Sequence, residues 1–252
     1  MRKVKKPLIF TLAFLPIAAL AGYFVAMYQL ELYDQETIDA LISQAGSRDT
    51  IILLSVIQTL VITFICGFLG YIISEKIGLM KPFRLERSNV IRTLFLSVVF
   101  GVVFSFDYWT FGSWIPGTVI QDAAVAGLTV YGWIGSILYG GIIEELMLRL
   151  FVMSLIVWIL WRLFFRKNEK VPVSVFITAN LISALLFAAG HLPATVTIFG
   201  ELTPLILFRC FLLNGAFGLF FGWLYYKYGI QYAMISHAML HIVSKFIWSV
   251  FI

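Results

Sequence analysis

Charge is scarce in this 252-residue chain. Asp, Glu, Lys and Arg together make up 12% of it, about half the share of an ordinary soluble domain. A water-facing globular surface is therefore excluded, and the 61% hydrophobic content points to a polytopic membrane protein. Alternation of apolar and polar residues is also missing, which argues against an outer-membrane barrel. The two cysteines, Cys66 and Cys210, both fall in apolar runs and read as small buried hydrophobes, not as a disulfide or metal pair. No soluble domain, long linker, low-complexity segment or internal repeat is visible. The net charge of +5 is gathered in short clusters between apolar runs, so it does not suggest nucleic acid as a partner.

What is present is a series of runs long enough to cross the hydrocarbon as helices, for which about twenty apolar residues suffice. They are Leu8–Met27, Ile51–Ile73, Val90–Phe106, Tyr131–Leu160, Val173–His191, Leu205–Tyr226 and Ile230–Phe251. The first follows the basic Met1–Lys6 and carries a signal-peptide-like Ala19-Leu20-Ala21, but its full length favours an uncleaved span. The aromatic, Gly- and Pro-rich segment Asp107–Gln121 is expected to rest in the membrane interface. With a cytoplasmic N-terminus, thirteen Lys and Arg residues fall on the inner side and only Arg48 in an outer loop, a strong positive-inside pattern. That pattern needs Tyr131–Leu160 to cross once. Splitting it gives an eighth span and moves the basic cluster Arg162–Lys170 outside. The expected fold is thus an all-α bundle of about seven spans, with N-terminal transmembrane helices over 1–125 and a four-helix catalytic core over 126–252.

Against this background GGIIEELMLR, residues 140–149, is anomalous. A charge at mid-membrane costs about 2.5–3.5 kcal/mol on insertion scales, so ionisable groups there are rare and usually functional. Glu145 and Arg149 are four apart, with the acid N-terminal to the base, which suits an ion pair on one helix face. Glu144 points about 100° away in an α-helix and is left free to handle protons. The bland alternative is a buried ion-pair network with no chemistry. Gly132, Ser136 and Gly140 recur at spacing four, as do Gly218 and Gly222, a pattern that lets helices approach closely in lipid.

The chain has three histidines, His191, His237 and His241. The last two are four apart in the seventh run, so their imidazoles share a face. HxxxH is a plausible metal-ligand spacing, but no Glu follows His237 as in a zincin. By helical rise His237 lies about 10 Å, and His191 about 25 Å, from the inner boundary. A common site therefore requires the fifth span to tilt or to begin above that boundary. Arg92 and Arg209 are read as snorkelling near span ends. Lys245, one turn past His241, is a candidate for the same cavity. Trp158, Trp161, Trp223, Tyr225 and Tyr226 are read as interface anchors.

EExxxR (Glu144, Glu145, Arg149), FxxxH (Phe187, His191) and HxxxH (His237, His241) follow one another on the fourth, fifth and seventh runs. In this the chain resembles the CPBP intramembrane proteases, also called the CAAX prenyl protease or Abi family, from about Tyr131 to the C-terminus. The family signature ends in HxxxN or HxxxD, and this chain departs from it with His241. The resemblance implies an intramembrane endopeptidase in which Glu144 activates water. His191, His237 and His241 would position that water, stabilise the oxyanion or, with Glu144, hold a divalent metal such as zinc. Glu145, Arg149 and Phe187 would support them. It also implies a membrane-associated peptide or protein tail as substrate, with the lipid bilayer as surroundings; the short loops and inside-positive pattern are compatible with a bacterial plasma membrane as the setting. Neither substrate identity nor oligomeric state is readable. Two other classes stay open: a non-catalytic membrane immunity or scaffold protein, to which His241 is the pointer, and a proton-coupled transporter, which would call for an inverted repeat.

Overall fold

The computed structural model describes residues 2–252; Met1, at the head of the basic stretch Met1–Lys6, lies outside the described residues. All the secondary structure among those residues is helical. The elements are α1 (Arg2–Leu32), α2 (Gln35–Ala45), α3 (Arg48–Lys76), α4 (Arg87–Ser105), α5 (Asp107–Trp114), α6 (Val119–Ala126), α7 (Val130–Gly135), α8 (Ser154–Phe164), α9 (Val173–Gly190), α10 (Leu192–Phe199), α11 (Pro204–Cys210), α12 (Phe217–Tyr228) and α13 (Ile230–Phe251). Between α7 and α8 the chain runs through two π-helical stretches, Ser136–Glu144 and Leu146–Met153, and a third, Phe211–Ala216, joins α11 to α12.

These elements combine into seven helical segments long and apolar enough to cross a membrane, matching the seven expected spans. The fourth, Val130–Phe164, is one uninterrupted 35-residue helix, so the break that an eighth span requires is absent. Most segments extend beyond the expected runs, and two of these extensions bear on the site. The third continues through α5 to Trp114, replacing an interfacial loop with helix. Asp107 sits buried at the joint because Arg209 of α11 neutralises it, Nε to Oδ1 at 2.7 Å. The fifth passes His191 and continues as α10 to Phe199, with Pro193 in its first turn, where the missing amide costs no hydrogen bond.

α1 packs along α3 and against α7, and α4 packs along α13. The core lies where the fourth span meets α9, α12 and α13. Leu146, Leu150, Met153 and Val157, one face of the fourth span, are fully buried among Ala179, Phe221 and Leu224. Tyr225 belongs to this core and not to the interface, its hydroxyl 2.8 Å from Ser154 Oγ; Trp223 alone of the expected anchors is exposed. One close helix contact joins the fourth span to α13: a Cβ placed on Gly141 would lie 2.9 Å from Ala238 Cα. Small residues here let backbones meet, as the spacing suggested. Cys66 and Cys210 are both free and buried.

Candidate active site

The wide turns of the π-helical stretches, bonded i to i+5 and frequent at functional sites, bracket Glu145. The two adjacent carboxylates diverge. Glu145 turns into the protein and is fully buried. Its Oε2 lies 3.4 Å from Arg149 Nε, and its Oε1 lies 2.9 Å from His237 Nδ1. Because a carboxylate can only accept, this contact places a proton on Nδ1 of His237.

Arg149, also fully buried, is held by more than its acid. Its guanidinium carbon lies 5.0 Å above the Phe187 ring and 6.0 Å from that of Phe221. Its Nη1 is 3.5 Å from Ser183 Oγ, which in turn donates to the Leu148 carbonyl. The pair expected from spacing is present, with His237 as a third member that spacing could not reveal.

Glu144 faces the other way and is half-buried. Among the described residues its carboxylate has no hydrogen-bond or ion-pair partner. It lines a cavity of about 290 Å³ that also takes in His191, His237, His241, Tyr139 and Asn214. That volume equals roughly ten waters at about 30 Å³ each, so the site has room for water and a short length of peptide.

The imidazoles are ordered by aromatic stacking. His237 lies between Phe221 (centroids 4.4 Å, 17°) and His241 (5.0 Å, 28°). Gly140 closes one side, where a Cβ would stand 2.9 Å from His241 Nε2 and 3.6 Å from His237 Nε2. Both Nε2 atoms therefore point to one place beside the fourth span. His191 stands at the joint of α9 and α10, its Nδ1 2.9 Å from the Phe187 carbonyl oxygen. A carbonyl only accepts, so the proton is on Nδ1 and Nε2 carries the lone pair. The difference in depth expected for His191 is bridged by Phe187, whose ring is 4.7 Å from His191 and 6.0 Å from His237. His191 thus lines the same cavity as the other two.

Among the described residues no three His, Cys, Asp or Glu groups are grouped so that they could hold a metal ion, while Glu144 and the three imidazoles share one cavity. The chemistry they offer as placed is proton transfer and hydrogen bonding.

Two cavity-lining features were missed or misread in the sequence, and a third was anticipated. Arg209 does not snorkel; it pairs with Asp107, and both line the cavity. The signal was an acid and a base at the edges of two apolar runs, legible only once the two helices are known to touch. Asn214, a lone amide in the run LLNGAFG, reaches the cavity from the third π-helical stretch. Lys245, placed by its register after His241, lines the cavity as that register suggested.

Residues 126–243 match the family model described as "Rce1-like: Type II CAAX prenyl endopeptidase Rce1-like". The match takes in all three motifs and leaves the first three spans outside it. No curated protein and no solved structure matches the chain. The motif order on membrane helices and this match agree: residues 126–243 are similar to the Rce1-like type II CAAX prenyl endopeptidases.

Proposed function

We propose that the chain is an intramembrane endopeptidase acting on membrane-associated peptides or protein tails, with Glu144 as the group that activates water. One observation carries this reading. The Glu144 carboxylate, free of any partner among the described residues, opens into the same cavity as three imidazoles, two of which, His191 and His237, are held from behind by hydrogen bonds.

In this mechanism a water sits between the Glu144 carboxylate and the Nε2 lone pair of His237. Glu145 holds His237 in the tautomer that leaves this lone pair free, as a buried carboxylate does for imidazole in other hydrolytic sites. As the water oxygen attacks the scissile carbonyl carbon, Glu144 takes its proton. The carbonyl π bond opens onto oxygen, and the oxyanion accepts hydrogen bonds from His241 Nε2–H and from Asn214. Asn214 Nδ2 donates to the Cys210 carbonyl and lies 3.7 Å from Cys210 Sγ, a weak acceptor that an oxyanion would displace. Glu144 then passes the proton to the departing amine as the C–N bond breaks. General acid–base help of this kind supplies about 10²–10⁴-fold in rate, and an oxyanion donor about 10²–10³-fold.

The basic clusters support an orientation with the N-terminus in the cytoplasm, an arrangement compatible with a bacterial plasma membrane. The decisive experiment is hydrolysis of a prenylated peptide by the full chain in proteoliposomes, compared with Glu144→Gln. Loss of turnover in a folded variant is expected; full turnover would remove Glu144 from the mechanism.

A further inference from the structure

Three cations stand at or behind the cavity wall. Arg149 is answered by Glu145 and Arg209 by Asp107. Lys245 has no acid within ion-pair reach among the described residues. It is nonetheless buried, at 3% exposure, and it lines the cavity. Its Nζ donates to the Gly127 carbonyl at 2.6 Å and lies 5.5 Å from the Tyr28 ring. An ammonium has three donors, so two remain for something inside the cavity. A buried cation without a counter-charge is costly, and a ligand that brings an anion relieves that cost.

The position of Lys245 says where on the ligand the anion belongs. On α13 it is one turn beyond His241 and two beyond His237, about 6 Å and about 12 Å along the axis. An extended peptide advances about 3.3 Å per residue. A chain lying along α13 with its scissile bond at the imidazole pair therefore reaches Lys245 after about two to four residues. We propose that Lys245 binds the free C-terminal carboxylate of the substrate and so directs cleavage to a bond near the chain end. This rests on the hydrolase reading above and adds to it a specificity-determining residue.

The test uses the full chain in proteoliposomes and two quenched-fluorescent peptides with a prenylated cysteine near the C-terminus. They are identical except that one ends in a carboxylate and the other in a carboxamide. The unaltered protein is expected to favour the acid by about tenfold or more in kcat/KM, chiefly through KM, the size of one charge-assisted contact. Lys245→Met should bring the ratio to within about twofold, and Lys245→Arg, which keeps the cation, should preserve part of the preference. Equal kcat/KM on the two peptides by the unaltered protein overturns the proposal. So does a Lys245→Met variant that slows both equally, the mark of a role confined to holding the Gly127 carbonyl. If Lys245→Met does not fold, the ratios for the unaltered protein and Lys245→Arg decide alone. A carboxamide peptide that is cut without preference sinks this inference and leaves the hydrolase standing, whereas neither peptide being cut sinks both.

Discussion

Glu145 Oε1 lies 2.9 Å from His237 Nδ1, joining residues 92 positions apart on the fourth and seventh spans. Together with the Arg149 contact on the other carboxylate oxygen, this makes a relay of three buried groups behind the cavity. Glu145 is therefore not only the neutralising half of an ion pair. It also aims the imidazole nearest the stacked centre of the site.

Glu144→Gln is expected to lower turnover about 10²–10⁴-fold, the share of a general base. Because the native carboxylate has no partner, nothing else is left unpaired, and thermal stability should change by no more than about 0.5 kcal/mol. Peptide hydrolysis and a thermal melt on the same preparation check the two halves of this expectation.

Glu145→Ala should fail differently. It strands the fully buried Arg149, and breaking a buried pair in this way costs about 3–5 kcal/mol. Combining Glu145→Gln with Arg149→Met removes both charges and should restore much of the stability. Activity should stay low in the double variant, because a neutral amide holds the His237 tautomer less firmly than a carboxylate. A double variant with full turnover would reduce Glu145 to a structural ion.

Gly140→Ala adds a methyl 2.9 Å from His241 Nε2, closer than side chains tolerate. The fourth span is expected to stay helical while the imidazole pair is pushed aside. Activity should drop by about 10²-fold, the sensitivity of a site to a shift of about 1 Å, with helicity by circular dichroism unchanged.

His241→Asn puts the family's usual residue in place and keeps an N–H donor. It should retain activity to within about tenfold, while His241→Ala should lose about 10²–10³-fold, the contribution of an oxyanion donor. Equal losses in the two variants would assign His241 to packing against His237 and Phe104 and not to the oxyanion.

The spans were legible because apolar run length is a local property, and so was the Glu145–Arg149 pair, which needs only helical spacing. The order of the three motifs pointed to the candidate residues before any contact was known. What stayed hidden depends on which helices touch. Asp107 read as the start of a loop because its neutralising partner lies 102 positions away. The contact of Glu145 with His237 was equally out of reach, since spacing within one helix says nothing about a ring on another. The π-helical turns around Glu145 also left no mark in the apolar pattern, which both helix types satisfy.

The Asp107–Arg209 pair has a consequence for anyone wishing to shorten the protein. It ties the third crossing to the sixth, and further threads tie the third to the seventh: Ser97 to Ser236 and Trp248 Nε1 to the Ser105 carbonyl. Excising the family-matched portion as a stand-alone enzyme would expose Arg209 without its acid and leave the final helix bare along one flank. The leading helices are thus a retaining wall for the reaction chamber, and a truncated version is expected to be extracted in detergent as aggregate.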